Sequence, residues 1–329
     1  MRTAPPCPCR GGRQSVIREV EGKVVKGLGG LFDTRTFDPS RGEEHFLTRA
    51  KGNLRRDDAR VLVGDNVRVQ IDDATPDGIV ISAVLERKNA LIRPPMANLD
   101  ILFIVLAAKK PAPVLTTLDK LIAIAEHNHI DPVVVITKTD LGEEDAERYA
   151  DIYHTAKIPL FVTSSLQNEG ISALKSYIDI HVTDGVTAAF AGASGVGKST
   201  LMNALFPSLS LATSAISEKI GRGKHTTRHV ELFPVGDAAH AGFLADTPGF
   251  SLLDFEHFDF FTLEDLPDTF REFRPYRGMC RYADCTHVGE SAAECAIARA
   301  AEEGKIAPSR LASYRSLYTV LKNKNPYDR

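Results

Sequence analysis

The sequence predicts a multidomain α/β chain in three parts. These are a small N-terminal β-barrel of the OB type, a central α/β domain built on a mostly parallel sheet, and a C-terminal helical domain. Three observations carry this expectation. Short β-prone pieces separated by glycines fill residues 16–88. Strand and helix signals then alternate through residues 89–255, the pattern of a parallel sheet with crossover helices. Beyond 256 the strand signals stop, and the stretches 291–303 and 308–322, rich in Ala, Glu, Leu and basic residues, read as helices beside a cysteine/histidine cluster.

The bulk numbers agree with several soluble domains. A length of 329 residues favours two or three domains. A hydrophobic content of 43% with 25% charged residues excludes a disordered or membrane-embedded composition. A net charge of −3 excludes a chain that is basic all over, so any RNA contact needs local basic patches. No apolar run approaches the roughly 18 residues of a membrane span, and the longest, 101–108, reads as a buried strand. The first fourteen residues carry arginines but no apolar core, so a cytoplasmic protein is expected. Five cysteines, an odd number, argue against a disulfide framework in that compartment.

Residues 1–15, rich in Pro, Gly, Arg and Cys, read as a disordered tail. Cys7 and Cys9 are two soft ligands and by themselves make a poor metal site. In 16–88 the β-prone pieces are 16–17, 22–25, 31–32, 61–63 and 67–71, with turn signals at Gly27, Gly29, Gly30, 64–66 and 76–78. Many short strands in so few residues suit an OB-type barrel. A basic stretch, Arg49, Lys51, Arg55, Arg56 and Arg60, is diluted by Asp57 and Asp58; it reads equally as an RNA-facing patch or as a solvated loop.

In the central part, strands are expected at 101–107, 132–137, 159–163, 186–191, 230–234 and 241–245. Helices are expected at 114–128, 145–156, 170–178 and 201–206. The strand 186–191 feeds Gly192-Ala193-Ser194-Gly195-Val196-Gly197-Lys198-Ser199, a match to G-x-x-x-x-G-K-[ST] at every fixed position, with Thr200 next. Glycines let the backbone approach an anion, successive N–H groups point at it, Lys198 supplies charge to the β- and γ-phosphates, and Ser199 offers a hydroxyl to Mg²⁺. Asp246-Thr247-Pro248-Gly249 follows as a D-x-x-G element at a strand end; Asp246 suits Mg²⁺ held through water, and the Gly249 N–H suits the γ-phosphate.

The base-reading element comes before the phosphate loop, not after it. Thr137-Lys138-Thr139-Asp140 closes the strand 132–137. A carboxylate at Asp140 accepts from the N1–H and 2-amino group of guanine, which adenine lacks, and a buried unpaired carboxylate is costly. The stem of Lys138 lies over the ring in this reading, and Ser164 and Ser165 form a second base-contacting loop. Thr137 stands where Asn is usual, and since that Asn normally braces neighbouring loops, the departure bears on affinity more than on base choice. This order of motifs is that of a circularly permuted GTPase domain.

Between the phosphate loop and Asp246, residues 221–228 read Gly-Arg-Gly-Lys-His-Thr-Thr-Arg. The glycines favour mobility, and Thr226 or Thr227 can complete a Mg²⁺ shell when the γ-phosphate is present, the logic of a switch. Phe250 occupies the position where many GTPases carry a water-orienting Gln, so another group must do that work. His225 is the nearest polar candidate by sequence, though a switch-loop histidine is also commonly a solvated surface residue. Cys280, Cys285, His287 and Cys295 form C-x₄-C-x-H-x₇-C; three thiolates and an imidazole close a tetrahedral structural Zn²⁺ site, and a small helical domain benefits from such a staple.

With these residues in view, the chain from about residue 18 onward resembles the RsgA family, the small-ribosomal-subunit-dependent GTPases. The phosphate loop, 221–228, 246–250 and the Cys/His set carry the resemblance. It implies an OB-fold, a permuted GTPase domain and a zinc domain, and a GTP hydrolase that acts late in assembly of the small subunit. It implies slow basal hydrolysis stimulated by that subunit, binding to its rRNA, and a catalytic role for His225. Mg²⁺ roles carry onto Ser199, Thr226 or Thr227 and Asp246, and zinc roles onto the four Cys/His ligands. A monomer is expected. Ordering of 221–228 and 246–250 by the γ-phosphate would reposition the zinc domain. Two other readings stand beside this one: a GTP-sensing RNA-binding protein with negligible hydrolysis, and an ATP-dependent phosphotransferase sharing only the phosphate loop, against which Asp140 and the switch threonines argue.

Overall fold

The computed structural model describes residues 17–38, 42–52, 54, 60–72, 75, 78–207, 230–236, 240–246 and 260–324. The chain divides into two compact units, Met1–Glu86 and Arg87–Arg329. Cys7, Cys9, Arg55, Arg56, His225, Thr226, Thr227, Gly249 and Phe250 lie outside the described residues.

In the first unit, β1 (Ile17–Leu28), β2 (Leu31–Asp38), β3 (Gly42–Ala50), β4 (Asn66–Asp72) and β5 (Ile79–Val84) form a closed barrel. Neighbours run β1–β2–β3–β5–β4, and β4 returns to pair with β1. β1 serves two partners because an irregularity between Val24 and Lys26 bends it, so that Ile17–Lys23 pairs with β4 and Gly22–Leu28 pairs with β2. The β1–β2 turn is Gly29-Gly30, both left-handed, which suits the tight hairpin between Leu28 and Leu31. Alternation on β4 sends Val67, Val69 and Ile71 inward to meet Val24, Val61 and Ile81.

Three local differences from the expected pieces appear here, one being that β5 lies where no strand was expected. Residues 61–63 are no ladder strand; Val61 joins the barrel core from a loop, and Val63 is buried beside it in sequence. β3 carries Glu43, Glu44, His45 and Arg49, and its polar, half-solvated sequence hid it.

The second unit is a doubly covered sheet. β8 (Ile101–Ala107), β9 (Asp131–Thr137), β10 (Leu160–Val162), β11 (Thr187–Ala191), β12 (Glu231–Val235) and β13 (Gly242–Asp246) follow a short hairpin of β6 (Ala90–Leu91) and β7 (Met96–Ala97). The order is β10–β9–β8–β11–β13–β12, parallel except for β12. Every residue of β8 and β11 is buried, as the middle of a parallel sheet requires. The helices are α1 (Leu115–His127), α2 (Glu143–Thr155), α3 (Ile171–His181) and α4 (Lys198–Leu205). After β8 the chain crosses to β9 on one side; after β11 it proceeds to β12 and β13 on the other. The C-terminal ends of β8 and β11 thus form the switch point where such sheets open a crevice.

After residue 260 come short 3₁₀ turns at Leu266–Thr269 and Arg271–Tyr276, then α5 (Ala296–Glu302) and α6 (Pro308–Lys322). α5 is shorter than the expected 291–303 because Cys295 caps it, its sulfur accepting from the Ala298 N–H. Among the described residues no helix is long and apolar enough to cross a membrane.

Candidate functional site

The crevice is lined by two loops. The loop 192–197 leaves β11 and opens α4. Gly192 has φ 146° and lies so close to β8 that a Cβ there would sit 2.2 Å from the Val105 carbonyl oxygen. Gly195 and Gly197 are also left-handed, at φ 78° and 97°. Val196 is buried, while Ala193, Ser194 and Gly195 are exposed. The Lys198 ammonium folds over the loop and donates to the carbonyls of Gly192 at 2.6 Å and Ala193 at 2.9 Å. Burial lowers its pKa, so a bound anion would restore what desolvation removes. Ser199 is half-buried in the first turn of α4 and Thr200 is exposed.

The second loop leaves β9. Thr137 is 3% exposed; its hydroxyl lies 2.5 Å from the Val196 carbonyl oxygen and 3.1 Å from that of Leu106. Lys138, left-handed at φ 56°, donates to the carbonyls of Gly195 and Lys110, both at 2.6 Å. Thr137 thus ties the two loops with a shorter side chain than the usual Asn. A threonine hydroxyl is short, but β9 and β11 flank β8 on either side, and the loop comes close enough for one hydrogen bond.

Asp140 sits on a 3₁₀ turn, Thr139–Leu141. Its Oδ1 accepts from the Ser164 hydroxyl at 2.7 Å, and the same hydroxyl oxygen accepts from the Gln167 N–H at 3.2 Å. Ser164 is fully buried, so in this structure it orients the carboxylate; Ser165 follows half-buried in the turn. Thr163 anchors the segment, its N–H and hydroxyl both donating to the Ile136 carbonyl. Asp246 ends β13; its neighbour Ala245 pairs with Ala189 of β11, which sets the Asp246 backbone at the edge of the crevice.

A separate cluster gathers Cys280, Cys285, His287 and Cys295, whose ligand atoms all lie within 4.8 Å of one another. The sulfurs of Cys280, Cys285 and Cys295 are 3.6, 3.3 and 3.4 Å from His287 Nδ1. A tetrahedral ion with metal–sulfur bonds near 2.3 Å has ligand–ligand edges of roughly 3.5–3.8 Å, so the donor set fits a tetrahedral metal. Burial pushes the Cys285 thiol up to about 12 and raises Cys295, while burial lowers His287, leaving its imidazole neutral and able to ligate. Backbone N–H groups of Ala296 and Ala298 donate to the sulfurs of Cys280 and Cys295. Residues that the sequence did not single out complete this shell. Tyr314 donates to the Thr286 carbonyl at 3.0 Å and Arg315 to the His287 carbonyl at 3.2 Å. No local motif marks either residue; their spacing on α6 is that of any helix.

The geometry can be set beside known proteins. The family described as "RsgA GTPase" matches residues 84–256, and "RsgA N-terminal domain" matches 21–80. The chain is 40% identical over 311 residues to "Small ribosomal subunit biogenesis GTPase RsgA 2" of Listeria monocytogenes, covering 93% of this chain and 99% of that one. It is 38% identical over 309 residues to "Small ribosomal subunit biogenesis GTPase RsgA" of Caldanaerobacter subterraneus, covering 94% and 98%. Among solved structures it is similar to YjeQ from Thermotoga maritima, with a TM-score of 0.76, 32% identity and 94% of this chain and 100% of that one covered. It is also similar to YloQ, described as a circularly permuted GTPase, with a TM-score of 0.73, 31% identity and coverage of 94% and 97%. The order of loops around the crevice, the closed barrel before it and the extent of these matches lead to one conclusion: the chain belongs to the RsgA family of circularly permuted GTPases.

Proposed function

We propose that this chain hydrolyses GTP to GDP and phosphate while engaged with the small ribosomal subunit, and that it serves the assembly of that subunit in the cytoplasm as a monomer. The observation that carries the nucleotide part is the double tie between the two crevice loops, Thr137 to Val196 and Lys138 to Gly195, which presents a carboxylate and a phosphate cradle to one ligand. The names of the relatives at 40% and 38% identity support the ribosomal part.

In this reading the backbone N–H groups of 192–199 and the Lys198 ammonium take the phosphates, with Thr200 flanking them. Asp140, oriented by Ser164 and flanked by Ser165, reads the guanine edge, and the stem of Lys138 lies along the ring. Ser199 and Asp246, joined by Thr226 or Thr227, are the residues to hold Mg²⁺, which would neutralise charge on the phosphate oxygens. The Gly249 N–H serves the γ-phosphate. His225 orients the attacking water, because Phe250 cannot. Cys280, Cys285, His287 and Cys295 hold a structural Zn²⁺. The parts are a tail at 1–15, an RNA-binding barrel at 16–88 where Arg49, Lys51 and Arg60 are exposed, the GTPase domain at 89–255 and the zinc domain at 256–329.

Phosphate release from GTP and from ATP, measured with and without purified small subunits, tests the reading. Slow GTP turnover that rises many-fold with the subunit supports it. Turnover indifferent to the subunit removes the ribosomal part, negligible turnover even with the subunit leaves a GTP-sensing binder, and comparable ATP turnover removes the role of Asp140.

A further inference from the structure

α1 lies between the two sites just described, and one of its faces is acidic. Asp119 and Glu126 stand about two helical turns apart, so they share that face. Both meet arginines from the C-terminal segment. Arg310 of α6 donates from Nη1 to Asp119 Oδ1 at 2.6 Å and forks onto Glu272, Nε to Oε1 at 2.6 Å and Nη2 to Oε2 at 3.2 Å. The three side chains are 1%, 1% and 3% exposed, so this triad is out of water altogether. Tyr153 of α2 also donates to Asp119 Oδ1, at 3.2 Å, and the guanidinium lies 4.5 Å from the ring centre of Phe270. At the other end of α1, Glu126, 6% exposed, takes Arg271 and, at 3.2 Å, Arg274.

Each end of this arrangement leads to a site. The helix that carries Arg310 also carries Tyr314 and Arg315, which hold the carbonyls of Thr286 and His287 inside the Cys/His loop. Phe273, beside Glu272, packs on Tyr314 with ring centres 5.0 Å apart. In the other direction, α1 is reached from β8 through residues 108–114, and the Lys110 carbonyl there accepts from the same Lys138 ammonium that holds Gly195 of the phosphate loop. Pro111 and Pro113 stiffen that segment.

We propose that α1 is the coupling element between the Cys/His cluster and the nucleotide loops, with Asp119 and Glu126 as positioning residues, so that metal occupancy and guanine-nucleotide occupancy strengthen each other. The inference rests on the nucleotide reading given above. Filling the metal site orders 286–287 and with them α6; α6 and the arginines hold α1; α1 fixes the 108–114 segment against which Lys138 braces the phosphate loop. Because coupling between two ligands is reciprocal, the factor must be equal in both directions.

The test uses the full chain. Zn²⁺ affinity is measured by competition with a chromogenic chelator, with and without GDP, and GDP affinity is measured by fluorescent-nucleotide displacement, with zinc-loaded and zinc-stripped protein. GDP is expected to tighten Zn²⁺ several-fold, and zinc stripping to weaken GDP by the same factor. In Arg310→Lys and Glu126→Gln that factor should fall toward one while each ligand still binds. Glu126→Gln alters the more exposed clamp, so it remains informative if the buried triad tolerates no change. A factor of one in the parent protein, or the parental factor retained in every variant that folds, overturns the proposal. Failure of the parent to bind guanine nucleotide at all is a distinct result that removes the nucleotide reading and the coupling together.

Discussion

The Thr137 hydroxyl and the Val196 carbonyl oxygen, 59 positions apart in the chain, lie 2.5 Å from each other. This contact lets the loop that leaves β9, which precedes the phosphate loop in sequence, hold it in space. Loops that lie in permuted order along the chain are thus in direct contact in the fold.

Thr137→Val removes the donor and keeps the shape. A hydrogen bond of this kind contributes about 1 kcal/mol, so GDP affinity should fall by roughly five-fold. Thr137→Ser should retain most of it. Titration of a fluorescent GDP against the three proteins checks this, and equal affinities would show that the brace is idle.

Gly192→Ala places a methyl where the Val105 carbonyl oxygen is only 2.2 Å away, at φ 146°. Strain of about 1–3 kcal/mol is expected, and it falls on the phosphate loop. Nucleotide binding should weaken by roughly 5- to 150-fold, while β8 and β11 keep the sheet assembled. Binding near the parental level would mean that the loop relaxes freely.

Arg310→Ala leaves Asp119 and Glu272 buried with no counter-charge. Burial drives the Asp119 carboxyl up against the pull of Arg310; burial alone would lower Arg310, but the two carboxylates outweigh it and hold its charge. A loss of about 3–5 kcal/mol is expected from breaking such a triad. Replacing all three residues by apolar ones of similar size should cost much less. Urea unfolding curves for the two proteins separate the outcomes, and equal losses would contradict the assignment.

Metal removal should act on the C-terminal segment, and its pH dependence follows from the thiols. In the metal-free protein Cys285 is pushed from an ordinary value of 9.0 up to about 12. A raised folded-state value means that stability from this group is full below about 9 and is lost as pH rises through 12. A metal reverses this by taking the thiolate, so binding should release about three protons per ion near neutral pH and tighten as pH rises. Proton release on Zn²⁺ titration in weak buffer measures it, and release of fewer than two would mean that not all three sulfurs bind.

What was legible in the sequence was whatever is local. The phosphate loop, T-K-x-D and the Cys/His spacing each lie within a short stretch of sequence, and the fold keeps each stretch together in space. Their order alone implied a permuted domain, and alternating apolar runs implied the parallel sheet. β3 escaped because half its face is wet and its composition polar. The late start of α5, at Ala296 and not at 291, escaped because the residue that caps it is a cysteine, a residue type not read as a cap.

The tertiary structure decided which of these local pieces touch. Thr137 became a brace because β9 and β11 flank the same strand, which no pattern within either loop encodes. Ser164 became the partner of Asp140, 24 positions away, and Arg310 the partner of Asp119, 191 positions away. An isolated Asp on a helix face reads as solvated; only packing α6 against α1 removes its water and makes an arginine necessary. The chain's own residues determined the chemistry available at each site, and desolvation and loop proximity, which exist only once the sheet and helices have packed, determined how those sites hold one another.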